Sequence, residues 1–322
     1  MTNKTLEEHI LSFNNNYPLT DVVGDTLSIG VVIPYFESKN TINLCLKHVI
    51  ESTNKYQGES EIIVIDDGST KYPAKKHISS DLQKHIKILT LYQNKGRYYS
   101  RNFGLRKTNN ELIFFIDSDV LIYPELISSH ANIHADLLSH DKSCITFCLF
   151  NFVEGINHEQ FNFNSTNDFR DYCVYQRTWK GSKEDEQFDG IEYKLLKQTN
   201  NLKNWPKEGK LGPWVLSNMV LGGCFAVLRE QVLKVNGCSG VFGKYGFEET
   251  SLVTKLMAKH HSFVIPVVDR YAIHIYDKLS AIEKQKRDSL FRKTHAIYFN
   301  QYIKQTLDEA IKKDKKYFKK EK

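Results

Sequence analysis

The sequence predicts an α/β fold in which helices cover both faces of a parallel sheet. Two observations point to it. Apolar runs of strand length alternate with segments of helical spacing from Ser28 onward, and the runs are continuously apolar, which is typical of parallel strands buried on both faces. The chain has 322 residues, of which 41% are hydrophobic, enough for a large core without structural metals.

The elements follow one another in the order strand, helix, strand, strand, helix, strand. Each strand is an apolar run that ends in a polar turn, and each helix carries apolar residues at threes and fours. In chain order the segments are SIGVVIPYF, TINLCLKHVIEST, SEIIVIDDGST, HIKILTLYQNKG, RYYSRNFGLRKTN and ELIFFIDSDVLI. Ligands of such sheets bind at the carboxyl ends of the strands, where two acidic clusters of this sequence fall.

Composition divides the chain into three parts. Residues 1–27 form a polar N-terminal extension, and residues 28–277 form the main domain. Within that domain, residues 150–215 are rich in Asn and aromatic residues and show no clear period, so they are predicted to be a variable region on the acceptor side of the crevice. Residues 278–322 are predicted to be a basic helical tail.

Charge and cysteine usage restrict the class of protein. The tail contains 14 Lys/Arg and 6 Asp/Glu and therefore carries a charge of +8. Because the net charge of the whole chain is +6, the remaining residues carry about −2. A nucleic-acid-binding core is therefore not expected. No signal sequence or membrane-spanning run is visible, and the six cysteines form no CxxC pair. We expect a cytoplasmic protein with reduced, mostly buried thiols.

Two carboxylates, Asp117 and Asp119, end the strand Leu112–Ile116. Residues i and i+2 of a strand face the same way, and close carboxylates need a cation or a shared proton. Oxygen ligands suit Mg²⁺ or Mn²⁺, which also bind phosphate oxygens. A dehalogenase-type phosphatase motif is the competing interpretation, but Leu121 stands where that motif has Thr or Val, and three strands precede it.

A second acidic cluster is the turn IDDGST, residues 65–70. Its carboxylates can accept hydrogen bonds from a nucleobase or a ribose, and Gly68 allows close backbone approach. The same composition is ideal for a turn that caps a helix, so the turn alone does not decide between binding and structure.

The order of six short motifs resembles the GT-A glycosyltransferases of the large family-2 type, which use nucleotide sugars. The resemblance covers roughly residues 28–277 and implies a mixed, mostly parallel sheet. Each motif is weak by itself, whereas the ordered combination is specific. In chain order the motifs are VVIPYF, IDDGST, QNKGRYYSRNFGL, FFIDSD, GGCFAVLR and GFEETSL.

By this resemblance, one set of residues binds the nucleotide. Pro34 and Tyr35 line the nucleobase pocket, with Glu37 just beyond. Asp66 and Asp67 contact the base and the ribose. The segment N-x-G…S-R-N-x-G contributes further donor contacts, and Arg101 is expected beside the nucleotide unless it is a surface arginine of the helix. This last set of matched residues is Asn94, Gly96, Arg101, Asn102 and Gly104.

A second set implied by the resemblance holds the metal and the diphosphate. The triplet Asp117-Ser118-Asp119 matches the family's DxD motif: Asp119 ligates the metal, Asp117 reaches the ribose or the metal's waters, and Ser118 belongs to the donor site. His274 follows a strand where many relatives place a histidine that completes the metal site. A structural histidine is the alternative for His274.

A third set implied by the resemblance meets the donor sugar and the acceptor. Gly222 and Gly223 match the segment beside the donor sugar, although a pair of glycines can also bend a strand. Trp214 either stacks on the sugar or belongs to the core. The acidic loop before a helix appears as Glu248-Glu249, where Glu249 replaces the usual aspartate base. Which glutamate is the base stays open, and helix capping is the alternative for both.

The resulting expectation is an inverting transfer from a nucleotide diphosphate sugar, with a UDP-sugar favoured, to a glycan, lipid-linked or protein acceptor hydroxyl. The alternatives are a nucleotide-sugar-binding scaffold without activity and a metal-dependent nucleotidyltransferase. A role in surface polysaccharide biosynthesis fits a cytoplasmic protein that touches the inner membrane face through its basic tail. Packing of the tail on the catalytic domain is the opposing interpretation.

Overall fold

The computed structural model describes residues 4–20, 26–155, 169, 173–179, 188–192, 216–220, 222–276 and 280–319. Ten strands lie in these residues, and only the backbone is described for the seventh and the eighth. Their bounds are β1 Ile29–Tyr35, β2 Ser60–Asp66, β3 Lys87–Thr90, β4 Leu112–Ile116, β5 Val120–Ile122, β6 Cys144–Glu154, β7 Val174–Trp179, β8 Phe188–Glu192, β9 Cys224–Leu228 and β10 Phe263–Tyr276.

The helices of the described residues flank the main sheet in two groups. One group includes α2 and α6, which contact each other, and the other includes α5, α7, α8 and α10. The bounds are α1 Leu6–Leu11, α2 Ile42–Lys55, α3 Ala74–His77, α4 Ser80–Gln83, α5 Arg97–Lys107, α6 Leu126–Ser139, α7 Arg229–Lys234, α8 Glu248–His260, α9 Ala281–Ile297 and α10 Leu307–Phe318. A π-helical turn, Tyr298–Tyr302, follows α9.

The main sheet has the strand order β3-β2-β1-β4-β9-β6-β10-β5. Strands β3, β2, β1 and β4 run parallel to their neighbours, as the continuously apolar sequences predict. Strand β9 lies antiparallel between β4 and β6, and β5 pairs antiparallel with β10. The predicted mixed, mostly parallel sheet with flanking helices and a helical C-terminal region is confirmed.

The two ends of the chain pack together against α8. The backbone N–H groups of Leu6 and Glu7 donate to the carbonyls of Gln305 and Ile303, both at 2.8 Å. Helix α1 and the tail then share a small apolar cluster beside the main core. The predicted boundaries at residues 27 and 278 stay predictions, but both flanking segments are attached to the domain.

A buried polar network anchors α10. Asp314 is fully buried and accepts hydrogen bonds from Lys255 Nζ of α8 at 2.6 Å, Ser239 Oγ at 2.5 Å and Tyr302 OH at 2.8 Å. A buried charge is tolerated only when it is paired and hydrogen-bonded, as it is here. The inner side of α10 therefore packs on the domain, while Lys312, Lys315, Lys316 and Lys319 face solvent.

One cysteine pair departs from the expectation of six reduced thiols. Cys148 and Cys224 form a disulfide that joins β6 to β9. The strand register explains the pairing, because Phe147 lies opposite Phe225 and the next positions therefore face each other, with a Cα–Cα distance of 5.6 Å. Cys45, Cys144, Cys173 and Cys238 are buried and free. None of the helices in the described part of the chain is long and apolar enough to cross a membrane.

Candidate active site

The turn between β4 and β5 holds the two carboxylates of the DxD triplet. Its backbone is fixed on both sides: Asp117 N–H donates to Gly223 O at 2.9 Å, and Ile275 N–H donates to Asp119 O at 2.9 Å. The antiparallel pairing of β5 with β10 sets Val120 opposite His274. A histidine far along the chain is thereby brought beside the acidic turn.

The side chains of Asp117, Asp119 and His274 offer a set of metal ligands. Their ligand atoms all lie within 4.8 Å of one another, and His274 Nε2 is 3.9 Å from Asp119 Oδ1. Asp119 Oδ1 is inaccessible to solvent and accepts no hydrogen bond from any described residue. Burial raises the pKa of Asp119, and His274 opposes that rise. The carboxylate oxygens suit Mn²⁺ or Mg²⁺, whereas an imidazole ligand is more typical of a transition-metal ion than of Mg²⁺.

Two arginines of α5, Arg97 and Arg101, lie behind this edge. Arg101 is fully buried, and its Nη2 donates to Asp117 Oδ1 at 2.8 Å and to Gly222 O at 2.7 Å. Arg97 Nη1 lies 3.5 Å from Asp117 Oδ2, and 35% of its side chain is exposed. Burial alone would raise the pKa of Asp117, but Arg101 and then Arg97 outweigh it and the pKa is lowered. Asp117 is therefore an ionised, oriented carboxylate.

The glutamate pair at the start of α8 meets the same arginines. Glu248 Oε1 is 3.0 Å from Arg97 Nε and 3.4 Å from Arg101 Nη1. Glu249 Oε2 is 3.9 Å from Arg101 and accepts no hydrogen bond from the described residues. Burial, with the charge of Glu248, raises the pKa of Glu249 to about 7. The two arginines therefore compensate the negative charge of Glu248. Glu249, by contrast, can gain or lose a proton near neutral pH.

Gly222 allows this arrangement by its lack of a side chain. A Cβ atom at this position would lie 2.9 Å from Arg101 Nη2 and 3.0 Å from the Glu249 carboxyl carbon. Gly223 packs less tightly, with Phe150 at 3.2 Å and His274 at 3.5 Å from such an atom. The Gly-Gly segment thus runs between the glutamate pair and the metal-ligand set.

The loop that contains Asn94 is tied to the acidic turn after β2. Asp67 accepts hydrogen bonds from the backbone N–H groups of Lys95 and Gly96, both at 2.8 Å. Burial raises the pKa of Asp67 to about 6, although these hydrogen bonds oppose the rise. Asn94 Oδ1 is buried and accepts no hydrogen bond within the described residues. An unpartnered buried acceptor next to Asp67 suits a ligand that donates hydrogen bonds.

Several residues expected at the nucleobase hold their own loop. Asp66 accepts from Ser69 N–H at 2.9 Å and Ala74 N–H at 2.8 Å. Glu37, with φ +55°, accepts from the N–H groups of residues 70, 71 and 72. Tyr35, which follows Pro34 in β1, donates its hydroxyl to Tyr72 O at 2.5 Å. The contacts of Asp66 agree with the structural alternative for the IDDGST turn. Nucleotide contacts by Tyr35, Glu37 and Asp66 stay predictions.

The structure brings most of the predicted residues into two neighbouring groups. The metal and glutamate group contains Asp117, Asp119, His274, Arg101, Gly222, Gly223, Glu248 and Glu249, with Ser118 buried in the turn. The loop group contains Pro34, Tyr35, Glu37, Asp66, Asp67 and Asn94. Trp214 lies outside the described residues, as does most of the segment 150–215.

Arg97 was missed by the sequence analysis. It precedes Arg101 by four positions on α5, and residues four apart share a helix face. That spacing was the available signal, but a surface pair of arginines has the same pattern. Only the contacts of Arg97 with Asp117 and Glu248 distinguish it.

The fold is of the GT-A type, with the acidic turn at the carboxyl end of β4, and comparison with known proteins shows what the chain is similar to. Residues 30–160 match the family described as Glycosyl transferase family 2. An N-acetylglucosaminyltransferase of Azorhizobium caulinodans is 28% identical over 133 residues, which cover 38% of this chain and 33% of that relative. The chain thus matches about a third of the relative's length.

Solved structures show the same fold. A mannosyltransferase of Pyrobaculum calidifontis with GDP-Man and Mn²⁺ superimposes with a TM-score of 0.57 at 14% sequence identity. The superposition covers 94% of this chain and 73% of the mannosyltransferase chain. The structure of GalNAc-T7 with UDP, GalNAc and Mn²⁺ gives a TM-score of 0.51 at 18% sequence identity, and the superposition covers 78% of this chain and 44% of the GalNAc-T7 chain. The predicted resemblance to family-2 glycosyltransferases is confirmed over residues 30–160, and the fold is that of the GT-A structures.

Proposed function

We propose that this chain transfers a sugar from a nucleotide diphosphate donor to an acceptor hydroxyl with inversion at the anomeric carbon. One observation carries the proposal. A buried carboxylate, Glu249, with a pKa raised to about 7, lies beside the Gly-Gly segment that borders the metal-ligand set. A general base works best when its pKa lies near the working pH.

Each charged residue then has a distinct task. Glu249 accepts the proton of the acceptor hydroxyl, whose oxygen attacks the anomeric carbon from the face opposite the diphosphate. Arg101, buried and hydrogen-bonded, orients Asp117 and Glu248. Arg97 is partly exposed and can turn its guanidinium toward the diphosphate. A divalent cation bound by Asp117, Asp119 and His274 would supply further positive charge for the leaving diphosphate.

The donor and the metal are proposed from two sources. The Mn²⁺ in the two structural neighbours supports a divalent cation here, either Mn²⁺ or Mg²⁺. One neighbour contains UDP and the other GDP-Man, so a UDP-sugar is our choice and a GDP-sugar is the competitor. The N-acetylglucosaminyltransferase relative supports a hexosyl or N-acetylhexosaminyl donor. The acceptor, a glycan, lipid-linked or protein hydroxyl, depends on residues 150–215.

The test is turnover of the purified chain with a panel of UDP- and GDP-sugars and Mn²⁺. We expect release of nucleoside diphosphate from at least one UDP-sugar and no release after EDTA treatment. Tight binding without release would favour the inactive scaffold. Release of pyrophosphate from a nucleoside triphosphate and a sugar phosphate would instead identify a nucleotidyltransferase, and either result would reject the transferase.

We also propose that the outer face of α10 contacts an anionic membrane, which would suit a lipid-linked acceptor. Lys312, Lys315 and Lys316 of this face and Lys319 at the C-terminal cap of α10 are exposed, and each basic residue near such a surface contributes about 1 kcal/mol. We expect sedimentation with phosphatidylserine vesicles at low salt. The binding should disappear in high salt and when the four lysines are replaced by Gln.

This substitution is a sharper test than deleting α10, because deletion also removes Asp314 and its buried partners. Replacement of four exposed lysines leaves the packed side of the helix intact. As a matched control, four Lys-to-Gln changes at exposed positions elsewhere, Lys47, Lys75, Lys76 and Lys84, should not reduce sedimentation. Recovery of the unmodified protein in the supernatant at low salt would reject the membrane contact.

A further inference from the structure

We infer that the C-terminal tail positions Glu248 and Glu249, the pair that contains the proposed base, through an aromatic clasp on the residue that precedes them. The aromatic clasp comprises Phe247 and four tail residues, Phe291, His295, Tyr298 and Phe299. The inference rests on the proposed function, because that function gives Glu248 and Glu249 their roles. It concerns how the start of α8 is held, and it gives the tail a positioning role.

Phe247 has a backbone conformation that needs external support. Its φ is +63° and its ψ is +3°, in the left-handed region that a bulky side chain rarely adopts. Gly246, just before it, also has a positive φ of +86°. The conformation turns the chain sharply into α8, where Glu248 and Glu249 are the first two residues. Strained residues persist when their surroundings determine them, and they cluster at active sites.

The tail supplies these surroundings. The ring of Tyr298 stacks on Phe247 with centroids 5.0 Å apart and an interplanar angle of 27°. Phe291 lies 5.5 Å away and Phe299 meets the ring edge-on at 6.0 Å. Phe247 is only 3% exposed. Phe247 is therefore enclosed largely by side chains of α9 and of the π-helical turn. Such π-helical turns are frequent at functional sites.

The hydroxyl of Tyr298 connects the clasp to α8 and to the short helix Leu216–Met219. It is within hydrogen-bonding distance of Thr254 Oγ1 of α8, at 2.6 Å, and of Ser217 Oγ, at 3.1 Å. Ser217 belongs to the short helix Leu216–Met219, which leads into Gly222 and Gly223. One tail residue thus contacts both the helix that carries the glutamates and the segment that leads to the Gly-Gly pair.

The experiment compares two clasp variants with a tail control. Phe247→Leu keeps an apolar side chain but removes the ring, and Phe291→Ala removes a half-buried ring at the edge, so it folds even if the first variant does not. The control, Tyr302→Phe, removes the hydrogen bond to Asp314 and keeps every ring. All assays are run well below the melting temperature of each variant.

We expect both clasp variants to lower kcat about tenfold or more, since small displacements of catalytic groups are costly. The donor KM should stay within about threefold, because such a displacement leaves uniform donor binding in place. The control should lower the melting temperature with kcat retained. Retention of kcat in both clasp variants, or an equal loss of kcat in Tyr302→Phe, would overturn the inference.

A second readout does not need turnover. The Glu249 carboxyl, observed by NMR in protein with ¹³C-labelled glutamate and assigned with Glu249→Gln, should titrate near 7 in the unmodified chain. In Phe291→Ala its pKa should fall toward the ordinary value of about 4.3 as the carboxyl loses its buried position. An unchanged titration contradicts the clasp. A chain without donor turnover whose titration does shift would reject the proposed function and retain the inference.

Discussion

Replacement of Asp119 by Asn is expected to remove nearly all metal-dependent turnover and to leave the fold intact. The carboxylate Oδ1 lies 3.9 Å from His274 Nε2 and accepts no hydrogen bond from the described residues, so little structure depends on it. The amide keeps the size of the side chain but removes the negative charge that a divalent cation requires. We expect kcat to fall by roughly 10²–10³, the range for loss of one group that stabilises transition-state charge.

The measurement is nucleoside diphosphate release as a function of Mn²⁺ concentration, together with a thermal melt. Asp269→Asn is the matched control, because it makes the same change on β10 at a side chain that is 52% exposed. The control should retain the metal dependence of the unmodified chain. Full activity of Asp119→Asn in EDTA-treated buffer would contradict the metal role of this carboxylate.

Replacement of Glu249 by Gln is expected to reduce transfer by roughly 10²–10⁴, the contribution typical of a positioned general base. Donor affinity should be retained, because Glu249 neutralises no arginine closely: its nearest contact with Arg101 is 3.9 Å. The base must be deprotonated to act, so the rate of the unmodified chain should rise as the pH increases through about 7. The Gln variant should lose that dependence.

Glu248→Gln separates the two glutamates. Glu248 is close to both Arg97 and Arg101, so its amide leaves two buried or half-buried cations poorly compensated. We expect lower stability and weaker donor binding. The pH dependence should persist but move below 7, because the charge of Glu248 contributes to the raised pKa of Glu249. An inactive Glu248→Gln with a normal Glu249→Gln would reverse the roles. Full activity of both variants would leave helix capping as the explanation for the acidic pair.

The sequence predicted the parallel half of the sheet and the acidic edge because both depend on local patterns. The run Leu112–Ile116 is a buried strand, and Asp117 and Asp119 follow it as expected. The position of β9 between β4 and β6 could not be predicted, since an apolar run of five residues carries no sign of its direction or its neighbours. The Cys148–Cys224 disulfide depends on that pairing and was missed with it.

The site was predicted where motif order was informative and missed where the contact is long-range. Glu249 and His274 were proposed from their place in the order, and both lie beside the expected edge. Arg97 could not be distinguished from a surface arginine of a helix, because its partner Glu248 lies about 150 positions later in the chain. In the structure, Arg97 Nε is 3.0 Å from Glu248 Oε1. Glu37 carried no local signal for its three backbone hydrogen bonds, because they depend on the fold of the following loop.

The tail shows the limit of periodicity most clearly. Tyr298, Tyr302 and Ile303 recur at helical spacing, which predicts a helix with an apolar side. The spacing cannot say whether that side meets a membrane or the domain, because the partner of Tyr298 is Phe247, a loop residue with no periodic context. All three tail residues are buried in the structure, so packing on the domain accounts for this stretch.

The central claim is that this chain's own carboxylates carry out sugar transfer, and one comparison tests it most directly. Initial rates of nucleoside diphosphate release are measured for the unmodified chain and for Glu249→Gln, both with saturating UDP-sugar and Mn²⁺. The proposal predicts turnover by the unmodified chain that is roughly 10²–10⁴ faster than that of the variant, with equal donor binding by calorimetry. Equal rates for the two proteins, or a rate in the unmodified chain that EDTA does not reduce, would contradict it.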